Sequence, residues 1–240
     1  MTPTASPAAP AGSPLARETR DVELFLLALF GCERRGALIE VRYEDGGEPR
    51  HAYFAHRDTF AAARTIVRLG IAGDVHVGVA PRRRRGAAGE QVERVWSLWA
   101  DLEQREALEL AHVAPSIVVA AGQARVHAYW LLRTPVAPEV AEQANRLLAT
   151  QLGADGGAVT QATAMLRPPG THCFASTPPA PVVLERLRSA MTTVQDATAG
   201  IVCDPAALTA QAVQPQARAR RRAVRAPARA STDRTRIAAL

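Results

Sequence analysis

The stretch RVWSLWADLEQ, residues 94–104, runs two tryptophans, a leucine and an alanine straight into Asp101 and Glu103. Read as a strand, its side chains alternate, so Trp96, Leu98 and Ala100 share one face while Asp101 and Glu103 share the other. Two neighbouring carboxylates repel, and partial burial makes each harder to ionise. A divalent cation would relieve that cost. The competing reading is a strand that simply ends in a solvated acidic turn.

Working outward, the same period-two logic marks further strands. Residues 115–132, PSIVVAAGQARVHAYWLL, give two strands, 116–121 and 126–132, around a turn at Gly122. Alternation puts His127 and Tyr129 on one face of the second strand and Ala128 and Trp130 on the other. ALIEVRYE (37–44) and RHAYFAH (50–56) alternate on either side of DGGEP and form a hairpin. DVHVGVAPR (74–82) is a strand, and PAPVVLERL (179–187) a final one.

Helical spacing appears between them. In residues 17–31, Val22, Leu26, Leu29 and Phe30 fall on one face, with Gly31 as a stop. RDTFAAARTIVRLG (57–70) is an alanine-rich amphipathic helix, and QREALELAH (104–112) a short one. PEVAEQANRLLATQLG (138–153) should bury Val140, Ala144, Leu147, Leu148 and Leu152. In TAMLRPPGTHCF (163–174) the Pro-Pro-Gly bars regular structure. Strands with interspersed helices, several joined as hairpins, make this an α+β (mixed α/β) domain over residues 19–190.

The ends differ in composition. Residues 1–18 are rich in Pro, Ala, Ser and Thr and read as a disordered leader, without the basic and apolar blocks of a secretory signal. Residues 191–240 read as a linker and a disordered arginine-rich tail. All 29 Lys+Arg residues are arginine, and eight of them lie between Gln216 and Leu240 with one acid, a net of +7. The whole chain carries +6, so the body is +6 − 7 = −1. The basic character therefore describes the tail. No apolar run approaches the roughly 20 residues of a membrane span. Three scattered cysteines without a CxxC pair fit a reducing cytoplasm rather than a disulfide or zinc framework.

Three residues join Asp101 and Glu103 as candidates, beside two arginine clusters. His127 lies on a strand, Asp155 just past a helix end in GADGG, and Arg167 at the entry to RPPGT. Arg82, Arg83, Arg84 and Arg85 form the one dense basic cluster of the body, and Arg220, Arg221 and Arg222 the core of the tail. Singly, each reads as a core histidine, a turn, a rigid loop or a solvated surface. Together, two or three carboxylates for Mg2+ or Mn2+, with a histidine and an arginine for phosphates, are the equipment of two-metal nucleotidyl transfer. The arginine clusters would add salt-sensitive affinity for a nucleic-acid backbone.

The order of these motifs resembles the RepB-like branch of the archaeo-eukaryotic primase (primase-polymerase) superfamily. The resemblance rests on VHVGVAPRRRRG, VWSLWADLE, PSIVVAAGQARVHAYW, NRLLATQLGAD and MLRPPGT, over about residues 74–184. It implies a catalytic domain with an RRM-like antiparallel sheet, making primers on single-stranded DNA from nucleoside triphosphates in a plasmid or phage-like replication system. By that resemblance Asp101 and Glu103 bind metal, His127 contacts the nucleotide's phosphates, and Arg167 lies near nucleotide or template. The third acid is Asp155 or absent, since Gln161 stands at the other position where relatives carry one. Two further departures are Arg125 in place of a small residue before His127, and HCFAS (172–176) in place of an asparagine and a lysine after RPPGT. They keep open a catalytically weakened, primase-derived DNA-binding replication protein. Without lysine no P-loop exists, so any unwinding falls to a separate helicase or replication initiator.

Overall fold

Alternating apolar side chains and a two-glycine turn build the first hairpin, β1 (Leu38–Asp45) with β2 (Glu48–Ala55), paired antiparallel from Leu38↔Ala55 to Asp45↔Glu48. The computed structural model describes residues 14–34, 36–86, 91–154 and 156–200. The helices are α1 (Pro14–Phe30), α2 (Thr59–Gly70), α3 (Pro138–Leu152) and the single turn α4 (Val194–Ala197). The remaining strands are β3 (Val75–Gly78), β4 (Val95–Leu102), β5 (Ile117–Ala121), β6 (Val126–Val136), β7 (Met165–Leu166), β8 (Thr171–Cys173) and β9 (Ala180–Leu187). The segments Arg105–Leu110 and Ala158–Thr160 are short 3-10 turns.

The strands divide into two sheets, antiparallel throughout: β2-β1-β3-β7 and β4-β6-β5-β9-β8. This is the mixed α/β architecture expected from the sequence. α1 and α2 pack on each other, α1 reaching β4 and β9 and α2 reaching β1, β3 and β8. Phe25 of α1 meets Tyr129 of β6 edge to face, with ring centroids 5.5 Å apart. Among the described residues, no helix is long and apolar enough to cross a membrane.

Four local expectations change. α1 begins at Pro14, inside the stretch read as a disordered leader; proline suits the first turn of a helix, where its missing N–H costs nothing. The fold also runs past residue 190. Thr192 accepts a hydrogen bond from Arg133 N–H and donates its own N–H to Leu131, and Thr193 caps α4, whose Ala197 is buried.

α3 buries Ala141, Ala144, Asn145, Leu148, Ala149 and Leu152, whereas Val140 is exposed and Leu147 half-buried. The helix is turned so that Asn145 can close the open edge of β4, accepting the Trp99 N–H at 3.0 Å. Finally, RPPGT is flanked by short strands rather than free of them, because Met165 pairs with Gly78 and Thr171 with Val182. Gly170 between them has φ +71°, and a Cβ there would lie 2.9 Å from Val22 and 3.0 Å from the Glu18 carbonyl, so the loop tucks under α1.

Candidate active site

β4 lies beside β6, with Trp99 opposite Tyr129 and Asp101 opposite His127. Directly paired residues share a face, so one side of the five-stranded sheet passes from aromatic to ionisable within one step. Exposure follows the same gradient. Trp99 is 1% exposed and Asp101 4%, while the Glu103 side chain, just beyond the end of β4, is 79% exposed. The shared face read from alternation is thus present, with one carboxylate at the floor and one at the rim.

Arg125 connects them. Its Nε lies 3.4 Å from Asp101 Oδ1 and its Nη2 3.9 Å from Glu103 Oε1. The β5–β6 hairpin sets this arginine in place: its carbonyl accepts the Ala121 N–H, and Gly122, at φ +120°, provides the reversal. Beside it opens a polar cavity of about 430 Å3, lined in part by Glu103, Arg105, Gln123 and Glu185.

His127 is 2% exposed, with Nε2 3.6 Å from Asp101 Oδ1. Burial lowers its pKa to about 3; contact with the Arg167 main chain favours its charge, but the guanidinium groups of Arg167 and Arg125 oppose it. His127 is therefore a neutral imidazole, a hydrogen-bonding group rather than a cation. Tyr129 beneath it stays protonated, its pKa pushed up by burial and by Asp101.

The four-stranded sheet contributes two residues, Asp74 and His76, that are not among the candidates read from the sequence. Asp74 Oδ1 receives Arg167 Nε at 3.0 Å and the Phe174 N–H at 3.3 Å. Burial works against the Asp74 charge, but Arg167 and the Phe174 amide outweigh it and hold the carboxyl below its ordinary range. His76, two residues on, is lowered to about 4 by burial and by the charges of Arg167 and Arg42. The signal was present in DVH at the start of β3, where alternation puts Asp74 and His76 on one face. Arg167 thereby bridges the two sheets, its side chain on Asp74 and its main chain against His127.

The arginine cluster needs a correction. Arg82 is 1% exposed, with Nε 2.7 Å from Glu40 Oε2 and Nη2 donating to the Thr163 carbonyl. An antiparallel bridge to Leu38 at the start of β1 fixes residue 82 beside the first sheet, where its side chain is buried, so Arg82 is a buried ion pair and not a phosphate contact. Arg83, Arg84 and Arg85 are exposed; Arg83 pairs with Glu93 at 3.1 Å and Arg84 donates to Gln91. Asp155, Arg220, Arg221 and Arg222 lie outside the described residues.

Among the described residues no three His, Cys, Asp or Glu side chains cluster as a metal cage. Two carboxylates already sharing one cationic neighbour do fit a sparsely held Mg2+ or Mn2+, which completes its shell with water and phosphate oxygen.

No family model and no curated protein matches this chain. Solved structures do. The AEP domain of the cyanophage S-2L primase-polymerase is 13% identical, over 73% of this chain and 94% of that one, with a TM-score of 0.55. Primase RepB' is 19% identical, over 87% and 68%, with a TM-score of 0.59. The catalytic domain of primase RepB' in complex with initiator DNA is 18% identical, over 87% and 98%, with a TM-score of 0.58. At these identities the likeness is one of fold: the chain shares the fold of the RepB' primase and of the phage primase-polymerase domain.

Proposed function

We propose that this chain, having the RepB-like primase fold, is a primase or primase-polymerase that joins nucleoside triphosphates on a single-stranded DNA template. The observation that carries the reading is the pairing of Asp101 with His127 across β4 and β6, with Glu103 and Arg125 at the rim and Arg167 alongside. Support for DNA as the partner comes from the RepB' catalytic domain, solved in complex with initiator DNA.

In this reading Asp101 and Glu103 hold Mg2+ or Mn2+, which would lower the pKa of a primer hydroxyl and neutralise phosphate charge. The chain's own residues do the rest. Neutral His127 offers an N–H to a phosphate oxygen from a dry floor, where a hydrogen bond is worth more than in water. Arg167, fixed by Asp74, supplies a pre-positioned positive charge. The exposed Arg83–Arg85 and the tail arginines, including Arg220–Arg222, add sequence-independent attraction for the template backbone. Asp155 remains the proposed third carboxylate.

The test is oligonucleotide synthesis by the full chain on single-stranded template with labelled ribo- or deoxyribonucleotides and Mg2+ or Mn2+. Asp101→Asn and Glu103→Gln should each lower product by at least about 100-fold while the circular dichroism spectrum stays unchanged. Absence of product beside an active control primase would overturn the reading. A second reading, a primase-derived DNA-binding replication protein without catalysis, is favoured by Arg125 lying across the carboxylates. It predicts that the same two variants bind template as well as the parent chain, or better, because negative charge is removed.

A further inference from the structure

The Arg125 contacts are unlike those of a structural ion pair. At 3.4 and 3.9 Å they are too long for hydrogen bonds, and they reach two carboxylates at once. The Arg125 side chain is 42% exposed and borders the open polar cavity, so it has room to leave. Asp101 is almost wholly buried at the floor of the pair and Glu103 stands at its rim, so the guanidinium spans the pair from the open side.

We propose that Arg125 is a tethered counter-ion that occupies the Asp101–Glu103 pair in the metal-free protein and must be displaced for a divalent ion to bind there. This rests on the metal reading of Asp101 and Glu103 given above. The guanidinium and the ion cannot share the pair, because both need the carboxylate oxygens and the two positive charges repel at this spacing. Arg125 therefore sets the metal affinity of the site, keeping it low until something else offers the guanidinium a better anion. On release, the side chain swings into the cavity bordered by Gln123, Glu103 and Glu185. Arg105 does not compete for the carboxylates of the site, since it is already paired with Glu185.

The experiment is Mn2+ titration of the full chain, with free Mn2+ read by electron paramagnetic resonance, without nucleotide or DNA. Four proteins are compared: the parent, Arg125→Ala, Arg125→Lys and the Asp101→Asn/Glu103→Gln double variant. Arg125→Ala should bind about 10-fold more tightly than the parent or better, with Arg125→Lys between them, and the double variant should lose that binding. Circular dichroism confirms folding of each, and a half-exposed arginine at a hairpin mouth is a mild site to truncate. Equal or weaker binding by Arg125→Ala, with loss in the double variant, overturns the counter-ion role and leaves the metal reading standing. Failure of both the folded parent and folded Arg125→Ala to bind Mn2+, or binding that survives in the double variant, overturns both.

Discussion

Two carboxylate–arginine groupings lie on the two sheets, and they are built in opposite ways. On the first sheet, Glu40 and Arg82 are each 1% exposed and 2.7 Å apart. Glu40 also receives His51 at 2.8 Å and Tyr53 at 3.3 Å, so both its oxygens are engaged. On the second sheet, Asp101 and Glu103 share Arg125 at 3.4 and 3.9 Å, with one partner at the floor, one at the rim and the arginine half-exposed. The first closes around its ions, with both oxygens of Glu40 taken by neighbouring donors. The second holds its charges loosely, next to open space, which is what an exchangeable ligand requires. Tightness of fit, rather than residue type, separates scaffold from site.

The comparison breaks most plainly at Glu40. Removing one partner of a buried pair strands the other charge, so Glu40→Ala or Arg82→Ala should cost about 3–5 kcal/mol in urea unfolding. The Glu40→Leu/Arg82→Met double variant should recover part of that loss, since no charge is left unpaired and only the bonds of His51, Tyr53 and the Thr163 carbonyl are given up. Tyr53 adds reach, because its hydroxyl also accepts the Gly86 N–H and so ties the arginine loop to the same network. A loss below about 1 kcal/mol for either single variant would put this pair in the same class as Arg125.

The sequence carried the strands and helices well, because their periods are local. Hairpins β1–β2 and β5–β6 follow from alternation around glycine turns, and the Asp101/Glu103 face follows from the same rule. What it did not carry were facts of register and partner. That His127 stands opposite Asp101 depends on how β4 docks beside β6, with β5 intervening in the chain. Arg82 looked solvated because it opens a run of four arginines; its bridge to Leu38 fixes it beside the first sheet, where its side chain is buried. Glu40 was the available clue, an acid in the apolar run LIEV that had to find a cation. β7 and β8, with two and three residues beside prolines, are too short to show any period. Asp74 finds its partner in Arg167, 93 residues away in sequence.

Acid sharpens the contrast. His76 has its pKa lowered to about 4, against an ordinary value of 6.5. The unfolded chain thus takes up a proton that the folded one refuses. The stability from burying neutral His76 is complete above pH 6.5 and shrinks as the pH falls towards 4. At pH 5.5 it should already be lower by about 1.4 kcal/mol than at pH 7.5. His127, lowered to about 3, acts in the same direction. Urea midpoints measured across this range should fall, and His76→Gln should flatten the curve by its own share. An unchanged slope in that variant would assign the acid response elsewhere.

The smallest expected effect is the most telling about the second grouping. If Arg125 is a loose counter-ion, its removal takes away two long, partly screened contacts and little packing, so Arg125→Ala should change unfolding stability by less than about 1 kcal/mol. Salt provides the cross-check. Contacts open to water weaken as ionic strength rises, so any small difference between the parent and Arg125→Ala should vanish near 1 M NaCl, whereas the Glu40→Ala deficit, shielded from solvent, should persist. A large, salt-insensitive loss in Arg125→Ala would mean that this arginine is as structural as Arg82, and the distinction between a closed scaffold and an open site would fall with it.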